Sequence, residues 1–110
     1  MKIEYKSNKL RKQLGTSSDI KRNFGVLAKR LSSRLDDIQA SPTLAVLIQI
    51  KAADCHALFG DRKGQWSIVL SGNYRLIFEL DHEPLPVTED GSVDTKFVTD
   101  INIIEITDYH

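Results

Sequence analysis

At 110 residues, the chain has room for one hydrophobic core and no second one. Its 41% hydrophobic and 27% charged residues set it among globular domains rather than disordered chains, and its longest apolar run, Leu44 to Ile48, is far too short to cross a bilayer. The formal charge is zero, but residues 1–34 carry ten Lys or Arg against Glu4 and Asp19, a net +8 that the remainder balances with −8; so basic a third attracts a polyanion or an acidic protein segment.

The opening MKIEYKSNKLRK is basic but lacks the apolar stretch of a secretory signal. Cys55 is the sole cysteine, so no internal disulfide forms. Both features point to the cytoplasm and away from membranes. Alternation in KIEYK predicts a first strand. Residues 7–14 predict a short helix closed by Gly15 in the left-handed conformation. The oxygens of Thr16 to Asp19 cap a second helix over 19–39, on which Ile20, Phe24, Leu27, Leu31, Leu35 and Ile38 form one apolar stripe. Gly25 within it reads as a mild defect of about 1 kcal/mol relative to Ala. Lys21, Arg22, Lys29, Arg30 and Arg34 fall mostly off the stripe and face water or a partner. Ser41-Pro42 ends the helix, and 43–50 fits either a short helix or a buried strand.

From Cys55 the pattern changes to strands. QWSIVLS and YRLIFEL flank Gly72-Asn73, a hairpin signal that asks for positive φ angles. Alternation puts Tyr74, Leu76, Phe78 and Leu80 on a helix-packed face, with Arg75, Ile77 and Glu79 on the other. Residues 82–96 read as a long loop or hairpin tip, and FVTDINIIEITDYH returns as a strand. The fold class is therefore α+β: a single domain over 1–110 with an N-terminal strand and two helices packed on one face of a small antiparallel sheet. The uncovered face is where a site would sit.

Three places carry chemically useful side chains: Cys55-His56 before ALFGDRKGQW, Arg75 on the central strand, and the terminal Asp108-Tyr109-His110. No phosphate-binding loop, dinucleotide fingerprint or zinc-ligand spacing is present. Each residue also has a plain structural reading. His56 fits a satisfied histidine at a strand start, Arg75 a partner of Glu79, Trp66 and Tyr109 packing residues, and Cys55 an inert buried thiol. His56, Asp108 and His110 lack a diagnostic metal spacing.

The segment HALFGDRKGQWSIVLSGNYRLIFEL with a terminal DYH resembles the HigB-type branch of the RelE/ParE toxin superfamily, the plasmid-maintenance killer proteins. The shared pattern is His, Gly-Asp-x-x-Gly, an aromatic-Ser-Ile strand, a turn with Asn-aromatic-Arg, and Asp-Tyr-His at the end. It spans about half of the chain; the helical half agrees in layout only. The connection at 82–96 is longer than the tight turn of the family.

The resemblance implies the toxin of a toxin–antitoxin pair, an endoribonuclease that cuts messenger RNA on the ribosome and uses neither metal nor cofactor. His56, Arg75, Asp108, Tyr109 and His110 fall on the catalytic positions, and Arg62 and Lys63 on a basic RNA-binding loop. The implied partners are the ribosome, its mRNA and a helix-turn-helix antitoxin, through which alone operator DNA is reached. The alternatives are a gyrase-directed toxin, a co-repressor subunit, or an RNA-binding module without catalysis.

Overall fold

The computed structural model describes residues 1–108. The chain runs through β1 (Lys2–Tyr5), α1 (Asn8–Gln13), α2 (Ser17–Phe24), α3 (Ala28–Ala40), α4 (Leu44–Ile48), β2 (His56–Ala57), β3 (Gln65–Ser71), β4 (Tyr74–Leu80) and β5 (Asp100–Asp108). The strands form one sheet in the order β1-β5-β4-β3-β2. All neighbours are antiparallel except β1, which lies parallel to β5 with Lys2 opposite Asp100 and Tyr5 opposite Ile103. The sheet is thus mixed rather than antiparallel throughout. A parallel neighbour needs a long crossover, and the helical half of the chain supplies it.

Local chemistry sets the helix starts. Ser7 accepts the Leu10 N–H at 3.1 Å, and Thr16 accepts the Asp19 N–H at 3.1 Å while its hydroxyl donates to the Asp19 carboxylate at 2.8 Å. Leu14, at φ −107°, ends α1 without the left-handed residue expected at Gly15. The single long helix expected over 19–39 is two helices. Gly25 has φ 51° and ψ −116°, a combination open to glycine and costly for any other residue. A 3-10 turn over Gly25–Leu27 then leads into α3. Ile20, Leu31, Leu35 and Ile38 still enter the core, whereas Phe24 and Leu27 are half-buried at the break and Val26 is 99% exposed. The ambiguous segment 43–50 is helical, with Leu44 and Leu47 fully buried.

These helices cover one sheet face, meeting Ile68 and Leu70 of β3, Leu76 and Phe78 of β4, and Ile101 and Ile103 of β5. Trp66 stacks against Phe78 with ring centroids 6.5 Å apart, so it packs against the core. Among the described residues, Leu58 and Ile77 are the buried hydrophobics that stay outside this core. In the hairpin only Gly72 takes a positive φ, 54°, while Asn73 does not. The 82–96 connection is internally bonded: Val87 bridges Val93, Thr88 N–H donates to the Ser92 carbonyl at 2.8 Å, and Asp90 accepts from Thr88 Oγ1 and Ser92 N–H. Those bonds pull the Asp90 carboxyl down to about 2. At its base His82 Nε2 accepts the N–H groups of Thr99 and Asp100 at 3.0 and 3.2 Å.

Two outcomes follow from this packing. Gly25→Ala is expected to lower stability by about 1–3 kcal/mol in urea unfolding; in an uninterrupted helix the same change would raise it by about 1 kcal/mol. Cys55 is buried, and desolvation pushes its thiol up to about 12. The folded protein should therefore resist iodoacetamide at pH 8 and react once unfolded. Because the unfolded thiol loses its proton from about 9 and the folded one only at about 12, this group's contribution to stability falls as pH rises through that window.

Candidate functional site

The chain entering β2 is turned outward by Asp54, whose φ of 45° and ψ of 52° close a 3-10 turn over Lys51–Ala53. Ala53 and Cys55 anchor this turn in the core. The strained carbonyl of Asp54 then accepts from His56 Nδ1 at 2.9 Å, and the Asp54 carboxylate stands 3.9 Å from the same nitrogen. With Nδ1 as donor, neutral His56 carries its lone pair on Nε2. The side chain is half exposed, at 49%. A carboxylate behind the imidazole helps to orient the ring. Asp54 escaped the sequence reading, although an acid two residues before a candidate histidine was the available signal.

The register places the other residues. His56 lies opposite Ser67, Ser67 opposite Ile77, and Ile77 opposite Glu105, giving one row across four strands. Two residues along, Val69, Arg75 and Thr107 form a second row. Residues directly opposite share a face, so His56 and Arg75 stand on the face away from the helices. They are two strands apart, roughly 10 Å across, and about 7 Å apart along the strand direction.

The Arg75 side chain makes no hydrogen bond or ion pair among the described residues, and its Nη1 is buried without a partner. The pairing with Glu79 that the sequence allowed does not form. Ser67 Oγ, on the same face, is also buried without a partner. Leaving a buried polar group unsatisfied costs about 1–3 kcal/mol, so this face is not arranged for stability.

Arg62 closes the loop over Gly60–Arg62 and reaches Gln65 Oε1 at 2.8 Å and Glu105 Oε1 at 2.7 Å. It thereby joins the loop before β3 to β5, in the row where Ile77 is buried. Glu105 was not singled out from sequence, because its placement depends on a bulge in the β4–β5 pairing. Lys63 is exposed beside Arg62.

Asp108 stands elsewhere. It lies opposite Tyr74 and lines, with Phe24, Val26, Leu27 and the β3–β4 turn, a cleft of about 450 Å³ on the helix side. The expectation that Asp108 shares the open face with His56 and Arg75 is therefore corrected: a bulge between Ile77 and Phe78 in the β4–β5 pairing shifts the alternation of β5. Tyr109 and His110, the other two members of the terminal triplet, lie outside the described residues. Among the described residues, no three His, Cys, Asp or Glu side chains cluster to hold a metal ion, and no helix is long and apolar enough to cross a membrane.

No protein-family profile matches the chain, and no curated protein does. A solved structure is similar over the full length of both chains: the YoeB/ParE toxin from Agrobacterium tumefaciens, with a TM-score of 0.55, 12% sequence identity and 100% of each chain covered. At that identity the likeness lies in the backbone, and the five-stranded sheet with its one-sided helical layer has the fold of a RelE/ParE-like toxin.

Proposed function

We propose that the chain is the toxin of a toxin–antitoxin pair, of the HigB-type branch, and that it cleaves messenger RNA on the ribosome without a metal. The observation that carries this reading is Arg75, a guanidinium with a buried, unpartnered Nη1 on the sheet face that also presents His56. A forked cation held without a partner is complementary to a phosphodiester, and the separation of the two residues leaves room for one between them.

The chemistry uses the substrate's own 2′-hydroxyl. A base removes its proton, the oxygen attacks the adjacent phosphorus, the dianionic phosphorane is stabilised, and an acid protonates the departing 5′-oxygen. His56 serves in proton transfer through Nε2, with Asp54 holding the ring. Arg75 neutralises the phosphorane. Tyr109 and His110 complete the site by resemblance, His110 as the second proton-transfer group. Arg62 and Lys63 bind flanking RNA, and a helix-turn-helix antitoxin restrains the toxin and connects it to operator DNA.

One observation favours a second reading. Asp108 faces the helix side, away from His56 and Arg75, and a chain with a divided set of nuclease residues suits a gyrase-directed toxin or a co-repressor subunit.

Primer extension on messenger RNA after induction tests both. New cuts within translated codons are expected, together with at least a 100-fold loss for His56→Ala, Arg75→Ala and His110→Ala. DNA-damage signalling without cuts would replace the nuclease reading by the gyrase-directed one. Arg75→Met should abolish cleavage while raising stability by about 1 kcal/mol, since it removes a buried unpaired donor but keeps the aliphatic stem. A Tm below that of the parent would mark Arg75 as structural.

A further inference from the structure

β2 pairs only with Trp66 and Ser67, so β3 continues beyond it with an outer edge that no strand covers among the described residues. Against that edge, between α3 and β3, lies a cleft of about 480 Å³ lined by Lys29, Arg30, Ser33, Arg34, Val69 and Leu70. Its charge is unusual for a helix start. Lys29 and Arg30 occupy the first turn of α3, which has no acidic residue, although the dipole there favours anions and disfavours cations. Arg30 and Arg34, one turn apart, also repel one another.

The donors of this cleft are scarcely used within the chain. Arg30 Nη1 makes one long bond, 3.4 Å, to the Leu70 carbonyl. The Arg34 guanidinium, with its side chain only 14% exposed, has its Nε 3.4 Å from Asp37 Oδ2, an ion-pair approach without a hydrogen bond. Arg34 Nε and Asp37 Oδ2 are both buried without a hydrogen-bond partner among the described residues. Asp37 thus supplies a neighbouring charge but no hydrogen bond to the fork. An anion in the cleft would relieve the cation repulsion.

We infer that this cleft binds consecutive phosphates of a single RNA strand, as a subsite for the strand whose cleavage is proposed at Arg75 and His56. Two features choose a phosphate strand over an acidic peptide. Forked guanidinium groups beside a hydroxyl donor match a tetrahedral phosphate, and the Lys29/Arg30 and Ser33/Arg34 pairs are about 6 Å apart along the helix, the scale of the step between neighbouring phosphates. Val69 gives the strand a path between the two places, since it lines the cleft and lies directly opposite Arg75. The inference rests on the nuclease reading for that path, but the affinity of the cleft is measured without cleavage.

The test is fluorescence anisotropy of the full chain with a 2′-O-methyl RNA oligonucleotide, which cannot be cut by 2′-hydroxyl attack. Arg30→Ala/Arg34→Ala should weaken binding about tenfold or more, and should reduce the slope of log affinity against log salt by about 1.4, two phosphates at about 0.7 each for a single strand. Lys29→Glu separates binding from folding: it relieves the clash with the helix dipole, so Tm should hold or rise while RNA affinity falls. Unchanged affinity and slope in the folded variants overturn the inference, and so does equal binding of polyglutamate. Loss of RNA binding in the variants, with no messenger cuts by the parent, would keep the cleft and overturn the nuclease reading. Cuts by the parent with RNA binding unaltered in the variants would do the reverse.

Discussion

The fold depends on β5 holding two neighbours at once. Its first half pairs in parallel with β1, and its whole length pairs antiparallel with β4. Ile101 and Ile103 enter the core within that pairing, so the last strand links the N-terminal strand to the hairpin and closes the sheet under the helices. Hydrogen bonding and apolar burial fix its register together, since a one-residue slip would turn both isoleucines to the opposite face. The one irregularity in this ladder has the largest effect on the site. The β4–β5 partners step from Ile77↔Glu105 to Phe78↔Ile103, leaving Ile104 as the extra residue. Such a bulge re-aims everything that follows it. It turns Glu105 and Thr107 to the Arg75 face and Asp108 to the helix side.

The sequence disclosed what depends on local pattern. The hairpin at Gly72, the strands on either side, the stripe of Ile20, Leu31, Leu35 and Ile38, and the one-sided helical layer all follow from periodicity and turn chemistry. What it concealed depends on tertiary pairing or on one backbone angle. Gly25 in a continuous apolar stripe looks like a tolerated defect, because spacing does not reveal that the chain reverses its φ there. The partner of β1 was hidden because a short alternating strand carries no sign of its neighbour or its direction. Unbroken alternation from Ile101 and Ile103 would bring Asp108 to the open face, so its expected position was a sound inference from a ladder assumed regular. Asp54 was missed for a similar reason: its importance lies in a left-handed backbone angle, not in its spacing.

Departures from stability rules gather in one part of the molecule. Among the described residues, Ser67 Oγ, Arg75 Nη1, Arg34 Nε and Asp37 Oδ2 are buried without hydrogen-bond partners, Asp54 takes a left-handed backbone, and α3 begins with two cations and no acid. Most of these lie on β3 or on the elements next to it. Elsewhere the caps at Ser7 and Thr16, the bonded 82–96 connection and the apolar core agree with the local rules. Natural chains break such rules where function needs it. The unmet donors around β3 and β4 are a physical argument for anion recognition there, independent of any likeness between sequences.

Arg62 shows how the same face can be occupied in the free protein and still be open to a ligand. Its guanidinium is paired with Glu105 at 2.7 Å, with side chains 30% and 41% exposed. A pair so accessible to water contributes on the order of 0–1 kcal/mol and is screened by salt. Exchanging the Glu105 carboxylate for a phosphate is therefore nearly neutral for the fold, and the freed carboxylate can return to water. Arg75 differs: among the described residues its Nη1 has no partner to exchange. A strand of RNA on this face would thus meet one cation that must be released and one that is already waiting, and the second is the stronger determinant of where the phosphate settles.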